Sequence, residues 1–148
     1  MQFLAELWSN GPLKCAALSW AAAQLLKVLI TLWLDKRLDW RRCFGMGGMP
    51  SSHTAFVFSL MMSIAFKDGV GSVTFALAFG LAAVVIYDAM GVRRETGRQG
   101  AVLNQILTEM LVEGKPITEN QLKELVGHSP LEVLGGLLVG LIITLIFK

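Results

Sequence analysis

The strongest constraint on this chain is its series of long apolar runs, because a run of about twenty such residues can satisfy its backbone in a bilayer only as a helix. Residues 13–34 form the first run, interrupted by Lys14, Gln24 and Lys27. Residues 51–66 form a second that is short for a full crossing at about sixteen residues. Residues 70–90 form a third broken only by small residues, and residues 131–147 form a fourth that carries Gly135, Gly136 and Gly140. With 54% hydrophobic and 16% charged residues in 148, the chain is too apolar to clothe a soluble domain. The expectation is an all-α fold: an integral membrane helical bundle of about four spans, one domain over residues 1–148.

Several features refine that bundle. Gln24 and Lys27 are three residues apart and share a helix face, which should point into protein and not at lipid. Gly136 and Gly140 have the spacing that lets two helices approach closely, and a glycine-tolerant membrane helix is the alternative reading. The second run opens with Pro50-Ser51-Ser52, a helix start with a serine available as cap. Glu6 precedes any lysine and no small-residue cleavage pattern follows the first run, so that run is expected to remain in the mature protein. Cys15 and Cys43 lack CxxC spacing and histidine neighbours, and neither a disulfide nor a zinc site is expected.

Basic residues report orientation. Lys36, Arg37, Arg41, Arg42, Arg93, Arg94, Arg98, Lys115 and Lys123 fall on one side of the runs, against Lys67, Lys148 and Lys14 on the other. That asymmetry puts the loops after the first and third spans in the cytoplasm, or in the stroma if the membrane belongs to a plastid. Both chain ends then face outward, and the bacterial location would be the inner membrane. Residues 93–127 form a polar loop on the basic side, with helical patches at 103–112 and 119–126 separated by Gly114-Lys115-Pro116. A net charge of +2 is too small to suggest a nucleic-acid partner, and none is expected.

The unusual polar groups of three separate segments, 45–53, 88–98 and 128–132, all fall on that basic face. The glycine-rich loop Gly45-Met46-Gly47-Gly48-Met49-Pro50-Ser51-Ser52-His53 runs into a helix N-terminus, where amides and the helix dipole favour an anion such as phosphate. A tight turn with capping serines is the alternative reading. His53 and His128 are the two histidines of the chain, and Glu132 follows His128 by four residues, the spacing that lets a carboxylate hold an imidazole. The same residues also read as a helix cap with Glu132 in the first turn. Arg93 and Arg94 can clamp phosphate oxygens or anchor the loop. Asp88 is a carboxylate near the end of an apolar helix, costly unless it pairs, hydrates or works.

At these positions the chain resembles the type 2 phosphatidic acid phosphatase and vanadium haloperoxidase superfamily, and more closely its divergent, acid-phosphatase-related membrane branch. Pro50-Ser51-Ser52-His53 is similar to that family's Pro-Ser-Gly-His element, with Ser52 in place of glycine. The run from His128 to Gly136 is similar to the segment in which histidine, three residues and aspartate lead into a glycine-bearing helix, with Glu132 in place of aspartate. Tyr87-Asp88-Ala89-Met90-Gly91-Val92-Arg93-Arg94, with Gly97, Gln99 and Asn104, also resembles a signature of the branch.

The resemblance implies a phosphatase in which His128 is the nucleophile, Glu132 orients it and His53 protonates the leaving alkoxide. Ser51, Ser52 and the backbone at Gly47 and Gly48 would bind phosphate together with Arg93, Arg94 or Arg42. No metal and no other cofactor is implied. There are departures: position 122 is Leu122 where the family has arginine, the lysine and Arg-Pro element is absent, and the bundle is smaller than the usual six spans. The expected substrate is a lipid phosphate: phosphatidylglycerophosphate, phosphatidate or a prenyl phosphate. The other partners are membrane lipids, and a homo-oligomer is compatible with the sequence. Two further readings stand beside this one. The first is a catalytically silent membrane protein that binds anionic lipid or a protein partner, and the second is a small carrier using Lys27, Gln24 and Asp88.

Overall fold

A computed structural model describes residues 2–36, 48–91, 99–104 and 129–147 of the chain. The described residues build five helices: α1 (Gln2–Ser9), α2 (Gly11–Asp35), α3 (Ser52–Asp68), α4 (Val73–Met90) and α5 (Pro130–Phe147). Residues 99–104 are also helical. The expected patches at 103–112 and 119–126 otherwise lie outside the described residues. No strand occurs among those described.

Each long helix starts where a short polar side chain can take up its first amides. Asn10 Oδ1 accepts from the Leu13 N–H at 3.1 Å, and Pro12 sits in the first turn of α2 where its missing N–H costs nothing. Ser51 and Ser72 cap α3 and α4 in the same way through the N–H groups of Thr54 and Phe75. The third apolar run begins as a turn at Val70, and its helix only at Val73. Gly69 at φ 81° ends α3 by donating to the Ala65 carbonyl, a left-handed conformation that glycine adopts without steric cost. At the N-terminus the short helix α1 was not apparent from hydropathy. The Lys14 ammonium lies 5.4 Å from the centre of the Trp8 ring, which joins α1 to α2.

Helix α3 is the hub of the bundle, packed against α2, α4 and α5, while α5 also meets α2. Among the described residues, three stretches are long and apolar enough to cross a membrane: Gly11–Trp33, Val73–Met90 and Pro130–Phe147. At 17 residues α3 spans about 26 Å at 1.5 Å per residue and lies between them. Outward faces are large and apolar, as in Leu25, Leu29, Leu77, Leu138 and Ile142, whereas the interior is small or polar. Buried residues recur every fourth position along α2 at Cys15, Ser19, Ala23, Lys27 and Thr31, marking its inward face. Such an inversion of soluble-protein patterning suits a bundle whose outside is lipid.

Helices α3 and α5 run parallel in close contact. A Cβ placed on Gly136 would lie 2.5 Å from the Ser51 carbonyl oxygen, and one on Gly140 would lie 2.9 Å from that of Ala55. The two glycines therefore serve the close packing that their spacing allowed. Further along, the Ser59 and Thr144 hydroxyls are hydrogen-bonded at 2.9 Å, and Thr144 also donates to Gly140 O at 2.7 Å. Helix α2 runs antiparallel to both, with Lys27 beside Gly48 at one end and Cys15 near Ile143 at the other.

Candidate active site

The parallel course of α3 and α5 brings their two N-termini side by side. Their junction is a backbone hydrogen bond, in which the Ser51 N–H donates to the Glu132 carbonyl at 2.9 Å. Each N-terminus is fixed by its own serine. The Ser51 hydroxyl is fully buried and accepts from the Thr54 amide at 3.4 Å and the Thr54 hydroxyl at 3.0 Å. On α5, Ser129 Oγ accepts from the Glu132 N–H at 3.3 Å, and Glu132 Oε2 accepts from the Ser129 N–H at 3.0 Å. That reciprocal pair is a capping box. Pro130 occupies the first helical position, where no donor is needed.

Convergent N-termini put the positive ends of two helix dipoles in one place. A third positive group joins them from α2. The Lys27 side chain is buried, and its Cγ and Cδ lie 3.5 Å from where a Cβ on Gly48 would stand. Gly48 itself has φ 87°, in the left-handed region, so a side chain there would be strained as well as pressed against the lysine. Because α2 continues for eight residues beyond Lys27, the junction is recessed by about 12 Å from the end of that helix.

Of the residues singled out from sequence, Gly48, Ser51, Ser52 and Glu132 come together at this junction. Ser52 is buried in the first turn of α3, and His53 follows it on an exposed face. His53 borders a hollow of about 390 Å³ with Ala17, Trp20, Phe56, Val57 and Val85. Asp88 lines a different hollow on α4 with Ala83, Val84 and Tyr87. His128, Arg42, Arg93 and Arg94 lie outside the described residues, as does Gly47.

Lys27 is the member of the site that the sequence did not assign to it. Its inward direction was readable from the shared face with Gln24, and the buried four-residue stripe of α2 would have strengthened that reading. Its contact with Gly48 depends on the depth at which α2 passes the loop, which no local pattern encodes. Gln24 is half-buried, and its Oε1 has no hydrogen-bond partner among the described residues.

Known proteins bear on this geometry in two ways. A family model described as the divergent PAP2 family matches residues 8–143, a stretch that contains α2 to α4 and most of α5. The chain is also 36% identical over 151 residues to the uncharacterized membrane protein YuiD of Bacillus subtilis (strain 168), an alignment covering 95% of this chain and 96% of that protein. No solved structure matches. The bundle of apolar helices, the loop leading into α3 and the segment leading into α5 thus lie within one continuous family match, and the chain belongs to the divergent PAP2 family.

Proposed function

We propose that the protein is a phosphatase that hydrolyses the phosphomonoester of a membrane lipid without a metal, at the cytoplasmic or stromal end of a four-span bundle. The observation that carries this reading is the junction of the α3 and α5 N-termini beside the buried Lys27. Two dipole ends and an ammonium group in one recess favour a dianionic phosphate over a neutral ligand. A lipid substrate fits because its chains stay in the bilayer while its headgroup reaches the recess.

In this reading His128, one residue before the Ser129 cap, attacks phosphorus while the ester P–O bond breaks, and His53 gives its proton to the departing alkoxide. Water then loses a proton to His53 and attacks the phosphohistidine, releasing inorganic phosphate and restoring both histidines. Glu132 orients the His128 imidazole. Its bond from Ser129 is compatible with that role, because a carboxylate accepts at two oxygens. Lys27, the backbone at Gly48, and Arg42, Arg93 and Arg94 supply the donors that stabilise charge on the transferring group.

The second reading, a silent module that binds anionic lipid, is favoured by one observation: the Ser51 hydroxyl and the Glu132 carboxylate both serve as helix caps. Trapping separates the two. Protein in detergent micelles, mixed with phosphatidylglycerophosphate carrying a labelled phosphomonoester and quenched in alkali, should retain an acid-labile label. His128→Ala should retain none. Equal labelling of both proteins, or none on folded native protein, favours the silent module.

A further inference from the structure

The hollow beside His53 has a chemistry unlike that of the junction. Ala17 and Trp20 come from α2, Phe56 and Val57 from α3, and Val85 from α4, so among the described residues His53 is the one ionisable group on its wall. Both outer helices are long and apolar enough to cross a membrane over these positions. Along α2, Trp20 lies seven residues from Lys27, about 10 Å deeper toward the middle of the bilayer than the anion-binding end. The hollow therefore begins at the first turn of α3, next to Ser52, and runs along α3 away from the charged recess.

We infer that this hollow holds the headgroup-proximal part of one acyl chain of a glycerophospholipid whose phosphomonoester occupies the recess. The inference rests on the lipid-phosphate reading of the site. A volume of about 390 Å³ between three helices suits a single chain. The bilayer supplies acyl chains at far higher concentration than any other apolar ligand, and the continuity between an apolar wall and an anion-binding helix start selects a molecule that is anionic at one end. The second chain of the same lipid stays in the bilayer. His53, at the border of the two regions, then stands beside the oxygen that joins the glycerol to the phosphate.

Trp20 reports occupancy directly. A variant in which Trp8, Trp33 and Trp40 are replaced by Phe leaves Trp20 as the one tryptophan. In phosphatidylcholine vesicles it should be quenched about threefold more strongly by a non-hydrolysable phosphonate analogue of phosphatidate, brominated near the start of its chains, than by equally brominated phosphatidylcholine at the same mole fraction, the scale on which a helix N-terminus favours an anion. Filling the hollow with Ala17→Leu should abolish that preference, and Val85→Phe gives a second filling from the opposite wall. Equal quenching by the two lipids overturns the proposal. Stronger quenching by a brominated prenyl phosphonate than by the phosphatidate analogue overturns the acyl assignment. The readout needs no turnover, so phosphate release without preferential quenching removes the groove and leaves the phosphatase, whereas preferential quenching without release does the reverse.

Discussion

The backbone N–H of Ser51 donates to the backbone carbonyl of Glu132 across 2.9 Å, joining the first turns of two helices that are 81 positions apart in the chain. Ser51, Ser52 and Glu132 gather about that bond, with Gly48 and Lys27 beside it. It sets α3 and α5 in register, and the glycines of α5 then maintain the contact along the helices.

The α3–α5 contact should be intolerant of even one methyl group. Gly136→Ala places a Cβ against the Ser51 carbonyl and the Thr54 side chain and should destabilise the bundle by about 1–3 kcal/mol. Gly80→Ala, on a face where nothing lies within 4 Å, should be neutral or stabilising by up to about 1 kcal/mol. Reversible unfolding in mixed micelles compares the two, and equal effects would mean that α5 does not pack on α3 as described.

Glu132 carries two roles that substitution can separate. Glutamine can still fill the third position of a capping box, so Glu132→Gln should leave the unfolding midpoint nearly unchanged while lowering phosphate release by about a hundredfold or more. Ser129→Ala should cost about 0.5–2 kcal/mol of stability through the lost cap. A Glu132→Gln protein with native turnover would confine Glu132 to capping.

Lys27 should matter for the anion more than for the fold. Replacing it by methionine keeps the apolar stem against Gly48 and removes the ammonium group from a buried position. Inhibition by inorganic phosphate or vanadate should weaken roughly tenfold or more, as expected for loss of a charged hydrogen bond. Unchanged inhibition constants would place the lysine outside the phosphate site.

Much of this architecture was legible in the sequence because membrane helices declare themselves by length and hydropathy. Residues 13–34 and 131–147 differ from α2 and α5 by at most two positions at either end. The third apolar run begins three residues before its helix, since Val70 is apolar but follows Gly69, whose positive-φ backbone ends α3 before the Ser72 cap begins α4. Helix α1, at eight residues, is too short to give a hydropathy signal. At the site, Gly48, Ser51, Ser52 and Glu132 were found through local motifs. Lys27 was not, because it enters through packing between an antiparallel helix and a loop 21 positions away. The spacing of Glu132 fits both a cap to Ser129 and a brace for His128, and only the first of these lies within the described residues.

The most direct test is phosphate release by purified protein in detergent micelles containing EDTA, from phosphatidylglycerophosphate, phosphatidate and prenyl phosphates, with His53→Ala and His128→Ala measured beside the native chain. The expected result is release from at least one lipid phosphate by the native protein, reduced to background by either substitution. Release that survives the loss of His128, or no release from any substrate by folded native protein, would contradict the assignment of the α3–α5 junction as a phosphatase site.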